Sequence, residues 1–173
     1  MRALAGNAIS GTDRAEAVSE LFREHALGLT RLAFLMLGDR GAAEDVVQEA
    51  FCGLYRAWDR LPSHDKVVGY LKVSVLNGCR SMMRRSRRVP APIQIASAAS
   101  AEADALIGEE RRAAVAALRR LPPRQREALV LRYFADLPVN EIAEAMRVSQ
   151  GTVKSTIARG LAALARILRE EEQ

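Results

Sequence analysis

The segment LPVNEIAEAMRVSQGTVKSTI, Leu137–Ile157, decides the fold of the second half of the chain. Ile142, Ala143 and Met146 follow the spacing of a short amphipathic helix. Pro138 suits the first turn of that helix, where a missing N–H costs nothing. The Arg147-Val148 pair then predicts a tight break before another helix begins.

Ser149 is a good N-cap for this following helix. Its predicted buried stripe consists of Val153, Ile157, Leu161, Leu164 and Leu168. The polar residues left on its outer face are Gln150, Thr152, Lys154, Ser155 and Arg159. Two helices joined in this way form a helix-turn-helix, whose second helix is built to lie in a DNA major groove.

The turn of this motif departs from the usual pattern at one position. The turn needs a positive φ, and this position normally carries glycine, but here it carries Arg147. A non-glycine residue there costs on the order of 1 kcal/mol, which a folded domain tolerates.

Composition predicts an all-α protein of one domain or two small ones. The 173 residues are 49% hydrophobic but only 5% aromatic, and no Val/Ile/Thr alternation suggests strands. Cys52 and Cys79 lie outside any CxxC or Cys/His cluster, so we expect neither a disulfide nor a metal site. No segment approaches the roughly 20 apolar residues of a membrane span, and we expect no membrane contact and a cytoplasmic protein.

The net charge of +5 is distributed very unevenly. Residues 13–65 are predominantly acidic. Residues 66–88 carry only basic charges, on Lys66, Lys72, Arg80, Arg84, Arg85, Arg87 and Arg88. An acidic block beside a purely basic one predicts two kinds of partner, and the basic block favours nucleic acid.

Helical periodicity divides the first half into three helices after a disordered leader at residues 1–12. The first covers residues 13–37, with a buried face that includes Phe22, and Gly38 ends it. Asp39 caps the second, which continues to about Trp58. Its buried face carries Val47, Phe51, Leu54 and Trp58, and its polar face carries Asp45, Gln48, Glu49, Cys52 and Arg56.

A loop at residues 61–65 separates the second helix from a third at 66–88. Asn77 and the arginines lie on the polar face of this third helix. Residues 89–104 are rich in Pro, Ala and Ser and predict a linker. A second helical unit follows at 105–173, in which Pro122-Pro123 separates two helices before the helix-turn-helix.

These motifs together resemble the extracytoplasmic-function (ECF) class of bacterial sigma factors. Asp45–Phe51 is similar to that family's Glu-Asp-x-x-Gln-Glu-x-Phe motif in region 2. The segments 121–126 and 151–155 resemble its region 4 signatures. The order of the motifs, the linker and the chain length agree with the family as well.

The resemblance implies a role for each polar surface. Asp45, Gln48 and Glu49 match positions that dock on core RNA polymerase. The basic helix, with the loop residue His64, matches the part that binds the promoter −10 element. The implied −10 contacts are His64, Asn77, Arg80, Arg84, Arg85, Arg87 and Arg88. The implied −35 contacts are Ser149, Gln150, Thr152, Lys154, Ser155 and Arg159.

The resemblance further implies a domain organisation and a set of partners. Residues 13–88 correspond to region 2 and residues 105–173 to region 4. The partners are core RNA polymerase and promoter DNA, and the family also commonly uses an anti-sigma factor. Two positions differ from the family pattern: Ser81 replaces a frequent acid, and Pro138 replaces the usual Ser and removes a helix cap.

Two other classes of protein remain as alternatives at this point. A stand-alone helix-turn-helix regulator would use residues 13–88 for sensing or dimerisation and would bind palindromic DNA as a dimer. A nucleic-acid enzyme would need a catalytic constellation, but the sequence contains no acid/base pair, phosphate loop or metal cluster. We therefore expect a non-enzyme without catalytic residues, metal or cofactor.

Overall fold

The computed structural model describes residues 11–61, 64–88 and 109–171, and the residues in these ranges form an all-α fold. The first three helices are α1 (Gly11–Leu37), α2 (Arg40–Ala57) and α3 (His64–Arg88), with a 3₁₀ turn at Trp58–Arg60. The next are α4 (Glu109–Arg120) and α5 (Pro123–Leu129), which continues as a π-helical segment, Val130–Phe134. The last two are α6 (Val139–Met146) and α7 (Gln150–Glu171).

The predicted leader and linker fall almost wholly outside these described residues. Of the leader, only Gly11 and Thr12 are described, and they begin α1. The linker at 89–104 is not described, nor are residues 105–108, where the second helical unit was expected to begin.

Helices α1, α2 and α3 pack against one another to form the first half of the molecule. Gly38 ends α1 with φ +72°, which favours glycine. Asp39 then caps α2, because its carboxylate accepts a 2.7 Å hydrogen bond from the Ala42 N–H. Both boundaries confirm the sequence prediction.

A close crossing joins α2 to α3. A Cβ placed on Gly78 would lie 2.7 Å from the Val46 Cγ1 atom, so a larger residue would push the helices apart. Val47, Phe51 and Leu54 are buried on the inner side of α2, as predicted. Phe22 was predicted to be buried, but it is 42% exposed and packs its ring edge-on against Phe51 at a centroid distance of 5.0 Å.

The second half is built around α7, which contacts α4, α5 and α6. The predicted buried stripe of α7 is wrong at Leu161, which is 42% exposed. Thr156, Gly160 and Ile167 face inward instead. A Cβ on Gly160 would lie 3.2 Å from the Leu129 side chain, so this glycine lets α5 approach closely.

The two halves also pack against each other. Helix α1 contacts α4, α5 and the π-helical segment. One cluster of buried apolar residues includes Met36 and Leu76 of the first half together with Leu131 and Ile142 of the second. The polar surfaces of the two halves are thereby held in a defined arrangement.

Candidate polymerase and nucleic-acid interfaces

The polar face of α2 lies on the protein surface, opposite the buried face of the helix. Asp45, Gln48 and Glu49 are all exposed, as predicted. Glu49 accepts a 2.6 Å hydrogen bond from Arg56, and both side chains are at least two-thirds exposed. Exposed pairs of this kind contribute little to stability, so this carboxylate remains available to a partner.

A groove of about 500 Å³ runs between α2 and α3 beside this acidic face. Asp45 and Glu49 line it from α2, and Tyr70, Ser81 and Arg85 line it from α3. The acidic surface and the basic helix therefore meet along one groove. Ser81 is uncharged, and none of the α3 residues that line the groove carries a negative charge.

The basic face of α3 is exposed over part of its length. Asn77, Arg84 and Arg85 are exposed to solvent, in agreement with the predicted polar face. The side chains of His64, Arg87 and Arg88 lie outside the described part of the structure. His64 was predicted in a loop, but its backbone forms the first residue of α3, so the connection after Leu61 is shorter than expected.

Arg80 does not lie on the open polar face that the sequence predicted for it. Its Nε atom donates a 2.7 Å hydrogen bond to Glu127 Oε1, and its Nη2 atom donates to the same oxygen and to the Ala145 carbonyl at 2.7 Å. Its Nη1 atom donates to Asn77 Oδ1 at 3.0 Å. The Arg80 side chain is 17% exposed and the Glu127 side chain 3%, so this ion pair is largely buried between the halves.

Sequence reasoning did not identify Glu127 as part of any site. Its position did carry a signal, because Glu127 lies four residues before the buried Leu131 and hence on the inner stripe of its helix. An acid on such a stripe needs a partner, and isolated buried carboxylates are very costly. The identity of that partner depends on how the halves pack.

The helix-turn-helix has the geometry that its sequence predicts. Arg147 ends α6 with φ 56° and ψ 49°, in the left-handed region. The Ser149 Oγ atom accepts a 3.2 Å hydrogen bond from the Thr152 N–H and so caps α7. Pro138 was expected within the first turn of α6, but it occupies the N-cap position and supplies no side-chain hydrogen bond.

The outer face of α7 carries the predicted polar set in the open. The exposed side chains are Ser149, Gln150, Thr152, Lys154, Ser155 and Arg159. Their hydrogen bonds are local: Ser155 donates to the Thr152 carbonyl at 3.0 Å, and Arg159 to the Ser155 carbonyl at 3.2 Å. Asn140 and Arg147 add to this surface by lining a depression at the turn, which the sequence analysis did not anticipate.

Neither cysteine suggests a chemical site. Cys79 is buried, and burial raises the pKa of its thiol to about 12, with a smaller contribution from the charge of Glu127. Across the described ranges, no three His, Cys, Asp or Glu side chains are grouped as a metal site would require. None of the helices in those ranges has the length and apolar character needed to cross a membrane.

Comparison with protein families assigns both halves to one class of protein. Residues 21–89 match the family model of Sigma-70 region 2, and residues 111–164 match that of Sigma-70 region 4. The two matches together define the chain as a sigma factor of RNA polymerase.

Comparison with individual proteins places the chain more narrowly. It is 33% identical over 156 residues to the ECF RNA polymerase sigma factor SigM of Mycobacterium tuberculosis, covering 88% of this chain and 77% of the relative. It is 30% identical over 145 residues to the RNA polymerase sigma-E factor of Streptomyces avermitilis, covering 84% and 81%. The chain belongs to the ECF RNA polymerase sigma factors.

Solved structures share the fold at low sequence identity. The sigma factor RpoE of Bartonella quintana, solved with the anti-sigma factor NepR, superposes with a TM-score of 0.68 at 23% identity, over 87% of this chain and 97% of that one. CnrH, solved with the cytosolic domain of CnrY, gives a TM-score of 0.65 at 21% identity, over 92% of each chain. These likenesses, with the family matches, confirm the predicted all-α fold with two sigma regions.

The family assignment also confirms the function that the sequence resemblance implied. As a sigma factor, the protein works with core RNA polymerase and promoter DNA in transcription initiation. The alternative of a stand-alone helix-turn-helix regulator is not favoured, because region 2 and region 4 occur together in one chain.

Proposed function

We propose that this ECF sigma factor divides its work among three separate surfaces. The acidic face of α2 binds core RNA polymerase, the basic face of α3 binds the −10 element, and α7 reads the −35 element. The observation that carries this proposal is the exposed polar set on the first turns of α7, in a chain that also matches region 2.

The −35 assignment depends on the geometry of α7. A recognition helix reads bases mainly with its N-terminal residues, because these reach deepest into the major groove. Gln150, Thr152 and Lys154 lie in the first turns, and their side chains are exposed. Ser149 holds the start of the helix in place, and Arg159 extends the surface toward a phosphate or a guanine edge.

The −10 assignment depends on charge and position along α3. Arg84 and Arg85 are exposed, and both can neutralise phosphates. Asn77 presents a carboxamide, which can read a base edge, on the same helix. Arg87, Arg88 and His64 complete the proposed surface on the strength of the family resemblance. Extruding a base from the duplex costs a few kcal/mol, which a chain of this size offsets only when core polymerase grips the DNA.

The role proposed for the protein is regulatory binding without chemistry of its own. Polymerisation belongs to the core enzyme, and the three surfaces contain groups suited to binding rather than to acid–base or nucleophilic catalysis. We propose that the protein acts in the cytoplasm, where the polymerase works. The solved relative RpoE was captured with an anti-sigma factor, and we propose a regulator of the same kind for this chain.

Reversal of charge on α2 tests the core-binding surface. We expect Asp45→Lys with Glu49→Lys to abolish most binding to core polymerase in a competition assay. Folding should persist, because exposed charges contribute little to stability. Glu16→Lys with Glu20→Lys is a matched control, since these exposed acids on α1 have the same four-residue spacing.

Run-off transcription from a promoter library, with core polymerase and each variant, extends the test to function. The wild type and the α1 control should initiate from the same promoters, and the α2 variant should not initiate. If the α2 variant still competes for core as well as the wild type, the acidic face is ordinary solvated surface and the assignment is wrong.

A further inference from the structure

Two of the described hydrogen bonds between the halves come from arginines, one donated by each half to the other. Arg80 of α3 donates to the Ala145 carbonyl in the last turn of α6. Arg126 of α5 donates a 2.5 Å hydrogen bond to the Met36 carbonyl in the last turn of α1. The last carbonyls of a helix lack intrahelical partners and carry partial negative charge, so each guanidinium caps a helix of the other half.

Arg80 is almost fully occupied in this arrangement. A guanidinium has five N–H donors. Arg80 uses four of them. The Nε–H and one Nη2–H donate to Glu127, and the other Nη2–H donates to the Ala145 carbonyl. One Nη1–H donates to Asn77. Asn77 in turn commits its carboxamide oxygen to Arg80. The four N–H groups of Arg80 that are used in this way cannot donate to a base or a phosphate at the same time.

The ion pair that holds Arg80 is suited to opening. Charges taken out of water lose hydration, and their mutual attraction offsets that loss only approximately. When the halves separate, Glu127 and Arg80 both regain water, and a phosphate can replace the carboxylate at Arg80. By contrast, removing one partner while the halves stay together leaves a buried charge uncompensated, which strongly disfavours the packed state.

We propose that the Arg80–Glu127 pair is a latch, by which region 4 closes over part of the −10 surface of the free protein. The inference rests on the proposed role of α3 in −10 binding. In the closed state Arg80 is engaged by Glu127 and Ala145 of region 4, whereas the polar face of α7 stays exposed. Separation of the halves therefore frees Arg80 to join the exposed Asn77, Arg84 and Arg85, and any partner that binds only the separated form completes the −10 surface.

Distance measurement on the free full-length protein tests the latch without polymerase or DNA. One spin label is attached at the native Cys52, which is exposed, and one at Ala162→Cys on the exposed face of α7. Cys79 is buried and should remain unlabelled. We expect a narrow distribution of short distances in the wild type. Glu127→Gln should raise the ratio of long to short distances by about tenfold or more.

Two further variants make the test specific. Glu141→Gln removes an equal charge from the exposed surface of α6 and should leave the distribution unchanged. Arg80→Gln should open the protein as Glu127→Gln does, and the double variant should open no further than either, because both changes remove one interaction. Circular dichroism on each variant verifies that helical content is preserved.

The outcomes separate the latch from the proposed function. Three results would each overturn the latch. The first is a broad distance distribution in the wild type, and the second is a Glu127→Gln distribution like that of the wild type. The third is a double variant whose opening equals the sum of the two single effects. None of these results would affect the assignment of α3 to the −10 element, which transcription assays test independently. Conversely, short distances in the wild type that become long in Glu127→Gln support the latch even if α3 binds a different part of the promoter.

Discussion

The two proposed DNA-reading helices, α3 and α7, present their polar side chains in different ways. On α7, the serine and arginine side chains bond to the backbone of the same helix, and the outer face is free. On α3, Arg80 bonds to Glu127 and Ala145 of the other half. The polar set of the proposed −35 reader is thus arranged by its own helix, whereas one member of the proposed −10 set, Arg80, is held by the packing of the two halves.

This difference has a consequence for how promoter contacts can be regulated. A surface determined by local structure is present whenever its domain is folded. A surface shared between domains can be exposed or covered by a modest change in the free energy of their association. Two experiments test the comparison between the two helices, and a third compares a turn in each half; they follow in order of decreasing expected effect.

The largest effect is expected from removing charge on α3. Arg84→Ala with Arg85→Ala should strongly reduce open-complex formation, because each exposed arginine that contacts a phosphate releases bound counterions. The slope of the logarithm of affinity against the logarithm of salt concentration should fall by about one for each lost contact. The measurement is a salt titration of open complexes formed by the holoenzyme.

A matched pair on the other half provides the control for that titration. Arg166→Ala with Arg169→Ala removes equal charge from the exposed far end of α7. We expect these changes to leave the slope near its wild-type value. If both pairs change it equally, the effect reflects overall charge and the α3 assignment fails.

The second effect concerns sequence preference rather than affinity. Replacing the polar set of α7 with that of another ECF factor should change the preferred −35 sequence and leave the −10 preference unchanged. The residues exchanged are Gln150, Thr152, Lys154, Ser155 and Arg159. Each good bidentate contact provides about 1–3 kcal/mol of discrimination between bases. Selection from a randomised promoter library with each holoenzyme measures both preferences.

The residues that anchor α7 must be kept in this exchange. Val153 is fully buried, and Gly160 allows the close approach of α5, so changing either would confuse misfolding with altered recognition. An unchanged −35 preference in a folded variant would mean that α7 is not the reading helix. A change in both the preferred −35 sequence and the preferred −10 sequence would mean that the two halves do not read DNA independently.

Local signals predicted those parts of the molecule that short segments determine. Asp39 and Ser149 act as helix caps, and Arg147 has the positive φ that the helix-turn-helix requires. These features depend on a few neighbouring residues and their backbone, so the sequence was sufficient. The exposure of Asp45, Gln48 and Glu49 followed equally from the periodicity of α2.

Features that depend on packing between helices could not be predicted in this way. Leu161 fits a helical stripe by spacing, yet Gly160 takes the inward position beside Leu129 and Leu161 is 42% exposed. Arg80 belongs to a basic helix by sequence, yet its partner Glu127 lies 47 residues away. The pairing of two distant charges requires knowledge of how the halves meet, which periodicity does not contain.

The smallest effect compares two of the positive-φ positions in the described residues, Gly38 in the first half of the molecule and Arg147 in the second. Gly38 has φ +72° and Arg147 has φ 56°. A side chain in this region costs roughly 1 kcal/mol, because its Cβ crowds the backbone, and glycine avoids that cost. Arg147→Gly should therefore stabilise the protein by about 1 kcal/mol. Gly38→Ala should destabilise it by at least about 1 kcal/mol, because a Cβ there would also clash with Arg119 Nε and displace that side chain. For a chain of this length, a change of about 1 kcal/mol corresponds to about 2–4 °C in melting temperature.

Thermal unfolding followed by circular dichroism measures both changes, and −35 selection with the Arg147→Gly holoenzyme adds a functional readout. Arg147 is exposed and lines the depression at the turn, so its side chain can also contribute a DNA contact. If Arg147→Gly is more stable but initiates less well, the turn retains a strained arginine because that residue serves binding. If it is less stable, the arginine side chain contributes more to folding than its backbone strain costs, and the local view of the α6–α7 turn is wrong.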